Sequence, residues 1–183
     1  MRAILIHGKD TSSTEKWYPW FKSELEKHGL EVIVPDMPEA GDPKLKAWLR
    51  IIEDLKPDEN TVLVGHSRGG VAVLRYLENM SVGTRVRKVL LVAANSGLLQ
   101  QQAIPSENSN DFYTEGGFNF TEIKKHCSEF VVYHSKDDPW VPFEQGRENS
   151  QGLGAKFVIF KKKKHFGKDS KTVPGLIFEI AGL

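Results

Sequence analysis

One short stretch of the chain constrains both fold and chemistry, because an apolar run leads straight into a serine flanked by glycines. Residues 61–64 have the character of a buried strand, and the next five residues, Gly65 to Gly69, read Gly-His-Ser-Arg-Gly, or G-x-S-x-G. The apolar residues after this motif recur at helical spacing, at Val73, Leu74, Leu77 and Met80. A buried strand, a sharp turn and a helix in this order favour a nucleophile elbow with Ser67 as the nucleophile.

The elbow interpretation also explains the neighbours of the serine. Small residues let a strand and a helix pack closely around a residue with strained backbone angles, and helix N-terminal N–H groups favour a developing oxyanion. His66 is expected to point to the opposite side of the turn. Two other interpretations stay open: an ordinary turn rich in small residues, and a phosphate loop. Gly65 and Gly70 have the spacing of such a loop, but Val71 and Ala72 stand where Lys and Ser or Thr should follow.

Composition limits the class of protein and its partners. With 183 residues, 39% of them hydrophobic and 27% charged, we expect one folded domain spanning residues 1–183. The net charge of +1 argues against nucleic acid as a partner. The single cysteine excludes an internal disulfide and suits a reducing compartment. Because no apolar run suits a signal peptide or a membrane span, we expect a cytoplasmic protein, with the nucleus not excluded, and no membrane partner.

Apolar and amphipathic segments alternate along the chain. Strands are expected at residues 2–6, 31–34, 61–66, 86–93, 130–134 and 156–160. Helices are expected after a Ser12–Glu15 capping box, after Asp42-Pro43, after Ser67, and at residues 121–125, 144–150 and 174–180. The strands are short and apolar throughout, which is typical of strands buried on both faces. The chain is therefore expected to be an α/β protein, a three-layer sandwich whose mostly parallel sheet carries helices on both faces.

The stretch from 95 to 119 has no sustained period and contains Phe112, Tyr113 and Phe118. A long connection of this kind inside a compact domain is usually functional or disordered. We expect Phe112, Phe118 and Trp140 to form an apolar substrate pocket that prefers aromatic or short acyl groups. The alternative is that these rings only pack the connection onto the body of the domain.

Chemically competent residues follow four of the predicted strands. In an open parallel sheet, binding and catalytic groups gather at the carboxyl ends of the strands. The groups found there are His7-Gly8-Lys9, Ser67, the pair Asp137-Asp138, and His165. A serine needs a base to take its proton, and the base needs a third group to orient it. The chain order of serine, aspartate and histidine is that of α/β-hydrolases.

Each of these residues also has an ordinary interpretation when taken alone. The aspartate could cap a turn before Pro139, and His165 could be a surface histidine in a basic loop. It is the combination at several strand ends, in this order, that favours catalysis. The other histidines show no pairing at metal-ligand spacing, so no metal site is predicted.

Taken together, these segments resemble the retinoblastoma-binding protein 9 family of small serine hydrolases. The likeness is carried by Gly65–Gly70, by His7-Gly8, by His165-Phe166, and by residues 130–142 with their D-x-x-V-P ending. It extends over nearly the whole chain. The resemblance implies an α/β-hydrolase without a large lid domain and without a cofactor.

The same resemblance assigns roles to residues. It implies a catalytic triad of Ser67, Asp138 and His165, with Asp138 chosen over Asp137 because only Asp138 fits D-x-x-V-P. It also implies that the backbone N–H groups of Lys9 and Arg68 form the oxyanion hole. The expected activity is hydrolysis of small ester or amide substrates through an acyl-serine intermediate. The alternative is a hydrolase-fold binding or scaffold protein that acts by protein interaction.

Two features depart from the family pattern. Such sequences often have glycine before the catalytic histidine, whereas this chain has four lysines, Lys161 to Lys164. These lysines are either a solvated strand end or a source of positive potential near the triad. Residues 125–129 have lysine where the pocket-protein motif L-x-C-x-E requires leucine. Binding to pocket proteins is therefore not predicted.

Overall fold

A six-stranded parallel sheet forms the centre of the computed structural model, which describes residues 1–101 and 110–182. In chain order the strands are β1 (Arg2–Ile6), β2 (Glu31–Ile33), β3 (Thr61–His66), β4 (Lys88–Val92), β5 (Phe130–Ser135) and β6 (Lys156–Phe160). Across the sheet their order is β2-β1-β3-β4-β5-β6, and every neighbouring pair is parallel. The predicted parallel sheet is confirmed.

Helices cover both faces of this sheet. They are α1 (Tyr18–Lys27), α2 (Leu45–Asp54), α3 (Arg68–Glu78), α4 (Phe120–His126), α5 (Phe143–Leu153) and α6 (Pro174–Ala181). Alternate residues of β1 enter opposite cores: Ile4 joins the core under α2 to α5, and Leu5 joins the core under α1 and α6. The strands are therefore apolar on both sides, and the three-layer sandwich is confirmed. The described part of the chain has no large lid, and none of its helices is long and apolar enough to cross a membrane.

The predicted starts of α1 and α2 were wrong. Glu15 Oε2 accepts the N–H of Ser12 at 2.9 Å, as in a capping box, but this bond closes a separate turn. Helix α1 begins only at Tyr18, and α2 begins at Leu45 without a cap from Asp42. A local capping motif can be satisfied by a turn alone, so it does not fix where the helix begins.

The strand order determines where a site can form. The chain runs from β1 outward to β2 and then returns to β3 on the other side of β1, with Ile6 aligned to Gly65. A crevice at the carboxyl end of a sheet opens where the strand order reverses in this way. The loop after β1 is therefore brought beside Ser67. Part of the predicted long connection, residues 102–109, lies outside the described residues.

Candidate active site

Ser67 occupies a sharp turn between β3 and α3. Its backbone angles, φ 53° and ψ −122°, lie in a region that few residues other than glycine adopt. A Cβ on Gly65 would lie 2.4 Å from the Cα of Gly70, and one on Gly69 would lie 2.1 Å from the carbonyl oxygen of Ile6. Strand and helix thus touch through their main chains, which only glycine permits. The result is the strained strand-to-helix turn that the G-x-S-x-G motif predicts.

His165 and Asp138 complete a line of hydrogen bonds with Ser67. The Nε2 atom of His165 lies 2.9 Å from Ser67 Oγ, and its Nδ1 atom lies 2.8 Å from Asp138 Oδ2. The Asp138 side chain is fully buried, whereas that of His165 is 13% exposed. A carboxylate can only accept, so Nδ1 carries the proton and Nε2 is free to accept the hydroxyl proton of Ser67. The structure thus brings together the three residues that were predicted to form the triad.

The second oxygen of Asp138 fixes the orientation of the carboxylate. Its Oδ1 atom accepts the main-chain N–H groups of Trp140 at 2.9 Å and Val141 at 3.0 Å. His134, which is fully buried, donates from Nε2 to the carbonyl of Val141 at 3.0 Å and lies 3.7 Å from Asp138 Oδ2. The carboxylate is therefore held by the turn that follows β5 and directed at His165.

Asp137 does not reach His165 but holds the turn that carries it. Its Oδ1 atom accepts from Ser135 Oγ at 2.6 Å, from the N–H of Lys164 at 2.9 Å and from the N–H of Lys163 at 3.2 Å. The bond from Ser135 and these main-chain bonds lower the pKa of Asp137. The two neighbouring aspartates thus have separate contacts, one with the imidazole and one with the main chain before it.

The turn around His165 is itself strained. Lys164 and Phe166, on either side of the histidine, both have positive φ, 49° and 51°. Lys164 is thus in the left-handed region that glycine adopts readily. This is the position, directly before the histidine, at which the family named in the sequence analysis often has glycine. Phe166 is fully buried and packs edge-on against Phe160, with ring centres 5.3 Å apart. Burial of this ring helps to hold a backbone conformation that is unfavourable for a lysine and a phenylalanine.

His66 and Tyr18 contact the site, and the sequence analysis missed their role. The Nε2 atom of His66 lies 2.9 Å from the main-chain carbonyl of His165, and its Nδ1 atom lies 2.7 Å from Tyr18 Oη. Both residues are fully buried. The ring of His66 ends on the turn that carries the base, and its centre lies 5.1 Å from that of the His165 ring. In the sequence, only the position of His66 directly before the serine hinted at this contact.

His7 links the loops that follow β1 and β2. Its ring is fully buried, with Nδ1 at 2.8 Å from the carbonyl of Gly8, while Nε2 accepts the N–H of Met37 at 2.9 Å. A ring nitrogen that accepts a hydrogen bond carries no proton, so the contact with Met37 requires the neutral ring, and burial lowers the pKa of His7 in the same sense. Its contacts are structural, and they order the main chain just before Lys9.

The two predicted oxyanion donors lie on either side of the serine. A Cβ on Gly8 would lie 3.1 Å from the Cβ of Ser67, so the loop that continues into Lys9 passes directly beside the nucleophile. Arg68 begins α3, and its N–H lies in the first turn, where no helical carbonyl accepts it. Among the described residues, neither N–H donates to an acceptor. The role of these groups in an oxyanion hole stays a prediction.

The three predicted pocket residues do not share one environment. Trp140 is 77% exposed, whereas Phe112 and Phe118 are buried within the same core. The ring of Phe112 lies 5.0 Å from the Arg68 guanidinium, near the elbow, and that of Phe118 lies 4.6 Å from the Arg75 guanidinium. Packing of the connection onto the domain accounts for both phenylalanines. Their part in binding substrate stays a prediction.

The remaining sequence features are placed as follows. Lys161, Lys162 and Lys164 are exposed and Lys163 is half-buried, at the end of β6 next to the site. Cys127 is fully buried, and burial raises the pKa of its thiol to about 11. Within the described part of the chain, no three His, Cys, Asp or Glu side chains are grouped so that they could hold a metal ion.

Comparison with known proteins covers nearly the whole chain. The sequence profile of a family described as serine hydrolase matches residues 3–173. The chain is 31% identical to the YdeN protein of Bacillus subtilis (strain 168) over 170 residues, which are 92% of this chain and 87% of that protein. It is 28% identical to the serine hydrolase RBBP9 of Rattus norvegicus over 169 residues, which are 90% of this chain and 87% of that protein.

The fold comparison agrees with the sequence comparison. The crystal structure of the ydeN gene product from B. subtilis superposes with a TM-score of 0.87 at 28% sequence identity. The superposition covers 99% of this chain and 97% of that one. The range matched by the family profile includes Ser67, Asp138 and His165.

Proposed function

This chain belongs to the serine hydrolase family, and we propose that it hydrolyses small carboxylic esters or amides through an acyl-Ser67 intermediate. The observation that supports the proposal is the line of hydrogen bonds from Ser67 through His165 to Asp138. The line lies at the carboxyl edge of the sheet, beside two main-chain N–H groups that have no acceptor among the described residues. A nucleophile, an oriented base and oxyanion donors are the parts that acyl transfer requires.

In the first half of the reaction, Ser67 Oγ attacks the substrate carbonyl carbon while His165 Nε2 takes the hydroxyl proton. The new C–O bond places negative charge on the carbonyl oxygen, which accepts hydrogen bonds from the N–H groups of Lys9 and Arg68. Asp138 stabilises the imidazolium that forms. The carbon–leaving group bond then breaks, and His165 gives its proton to the departing alcohol or amine.

The second half returns the enzyme to its starting state. His165 takes a proton from water, and the hydroxide oxygen attacks the acyl carbon. The bond between that carbon and Ser67 Oγ then breaks, and His165 returns the proton to the serine. Each proton moves through Nε2 of His165, so this one imidazole acts as base and then as acid in both halves of the reaction.

Labelling with a fluorophosphonate tests the proposal directly, because the reagent phosphonylates an activated serine. Wild type should react and the Ser67→Ala variant should not. Ser128→Ala, at an exposed serine away from the site, is the control and should label like wild type. If wild type fails to react, or Ser67→Ala labels equally well, the proposal is wrong.

Turnover on a panel of esters, thioesters and aminoacyl amides then separates the substrate classes. A carboxylesterase should turn over the esters, and a peptidase or amidase the aminoacyl amides. Reaction with the probe but no turnover on any member of the panel would favour the binding or scaffold role instead.

A further inference from the structure

A buried chain of hydrogen bonds joins the loop after β1, helix α1 and the turn that carries His165. The Gly8 N–H donates to Tyr18 Oη over 3.4 Å, and Tyr18 Oη lies 2.7 Å from His66 Nδ1. His66 Nε2 lies 2.9 Å from the carbonyl oxygen of His165. Tyr18 and His66 are fully buried, so their polar atoms find hydrogen-bond partners in these contacts instead of in water.

The donors in this chain can be assigned, because a carbonyl oxygen only accepts. The carbonyl of His165 therefore places the proton on Nε2 of His66, and Nδ1 is left to accept the hydroxyl proton of Tyr18. The oxygen of Tyr18 in turn accepts the N–H of Gly8. Burial, together with the neighbouring His165, lowers the pKa of His66 well below its ordinary value. The network thus suits one tautomer of a neutral imidazole.

The turn that carries His165 needs such a support. Lys164 and Phe166 flank it with positive φ, and strained conformations of this kind persist only where the surroundings hold them. Asp137 holds the two N–H groups that precede the histidine. The bond from His66 is made to the main chain of His165 itself.

We propose that His66 is a positioning residue for the reaction of Ser67. Its Nε2–H holds the His165 carbonyl so that the imidazole stays 2.9 Å from Ser67 Oγ, and Tyr18 holds His66 in the required tautomer. The inference rests on the proposed function, since His66 acts through His165 and does not touch the reacting atoms. His66 is the last residue of β3 and directly precedes Ser67. The end of β3 therefore positions both the nucleophile, through the chain, and the base, through the hydrogen bond from His66.

Two substitutions of His66 test its two hydrogen bonds separately, because each keeps one bond and removes the other. The amide nitrogen of Gln reaches the region of the imidazole Nε2, so His66→Gln can still donate to the carbonyl of His165. The shorter amide of Asn lies near the position of Nδ1, so His66→Asn can accept from Tyr18 but does not reach the carbonyl. His126→Gln is the matched control, because this buried histidine bonds the Thr84 carbonyl through Nδ1 at 2.8 Å, at the opposite edge of the sheet.

Steady-state kinetics should distinguish the variants. We expect kcat of His66→Asn to fall by about 10-fold or more with KM within about twofold, since a misplacement of about 1 Å can cost about 100-fold. His66→Gln should rescue most of this loss. His126→Gln should lose stability like His66→Asn while kcat stays at the wild-type value.

A second measurement does not depend on turnover. The proton on Nδ1 of His165, which bonds Asp138, gives a downfield proton NMR signal that reports the position of the ring. This signal should shift or vanish in His66→Asn and persist in His66→Gln. If His66→Asn keeps both kcat and the signal, or if both variants lose kcat equally, the inference is overturned. If the signal behaves as expected but wild type neither reacts with the fluorophosphonate nor turns over substrate, the positioning role stands and the proposed function fails.

Discussion

Replacing Asp138 by asparagine tests the proposed triad at the point where its geometry is most restrictive. The two carboxylate oxygens of Asp138 have different partners: Oδ1 accepts two main-chain N–H groups, and Oδ2 accepts the proton of His165 Nδ1. An asparagine has one oxygen and one NH2 group at these positions. Because the two N–H groups need the oxygen, the favoured orientation of the amide turns its NH2 group toward His165.

This orientation reverses the tautomer of His165. An NH2 group only donates, so Nδ1 must become the acceptor and the proton must move to Nε2. The imidazole then cannot take the proton of Ser67. Loss of the orienting carboxylate in a comparable triad lowers kcat by about 10⁴, or about 5 kcal/mol.

The opposite amide orientation sets the upper limit on residual activity. It would restore the tautomer but leave the N–H groups of Trp140 and Val141 facing an NH2 group, at about 1 to 3 kcal/mol each. A total of about 2 kcal/mol already restricts this orientation to a few per cent of molecules. Asp138→Asn should therefore keep at most about 3% of the wild-type kcat.

Asp137→Asn is the matched control. A single oxygen of Asp137 accepts from Ser135 Oγ and from the N–H groups of Lys163 and Lys164, and an amide oxygen can keep all three bonds. Only the charge is lost, which weakens each bond without removing it. We expect kcat to stay within about threefold of wild type, equivalent to less than about 0.7 kcal/mol.

Both variants are measured with an activated ester for kcat and KM, with circular dichroism as the check on folding. Activity retained by Asp138→Asn but lost in Asp137→Asn would move the orienting role to Asp137. Full activity in both would show that the triad interpretation is wrong.

Three further predictions concern stability and specificity. Burial lowers the pKa of His7, His66 and His134 in the folded protein, so below about pH 6.5 the unfolded chain binds more protons than the folded chain. Urea unfolding should therefore show stability falling as the pH is lowered, by at most about 1.4 kcal/mol per pH unit for each histidine, and constant stability from about pH 7.5 to 5 would contradict this. Gly65→Ala should prevent folding or abolish labelling by the fluorophosphonate, because the new Cβ would overlap the main chain of Gly70. Gly167→Ala is the control: its methyl group would meet open space, so its melting temperature should equal that of wild type. Phe112→Ala should lower the free energy of unfolding, measured by thermal denaturation, by about 3 to 5 kcal/mol, because the ring packs against Trp48. It should also change the relative kcat/KM among acyl groups, and an unchanged acyl preference would show that Phe112 is a packing residue only.

The parts of the site that the sequence predicted follow from chain order and from the properties of parallel sheets. Ser67 is recognisable because strand, turn and helix are contiguous around it. His165 and the aspartate pair could be placed because parallel strands bring their carboxyl ends to one edge. The choice of Asp138 over Asp137 depended on the family pattern, and the structure supplies the contacts of each.

The contacts that support the site could not be predicted from local patterns. His66 bonds residues that are 48 and 99 positions away, and Tyr18 has the spacing of an ordinary core aromatic residue. Such bonds depend on how helix α1 packs on the sheet, which no short motif encodes. The start of α1 failed for a related reason, since Ser12 and Glu15 satisfied each other before the helix began.

The main-chain anchoring of the His165 turn has an evolutionary consequence. The turn is held by N–H groups bonded to Asp137 and by a carbonyl bonded to His66, and these bonds are indifferent to the side chains at 161–163. Those positions can therefore diverge in charge without disturbing the alignment of the base. The charge at the rim of the site and the alignment of the base are thus set by separate groups, so substitutions at 161–163 can change the first without moving the second.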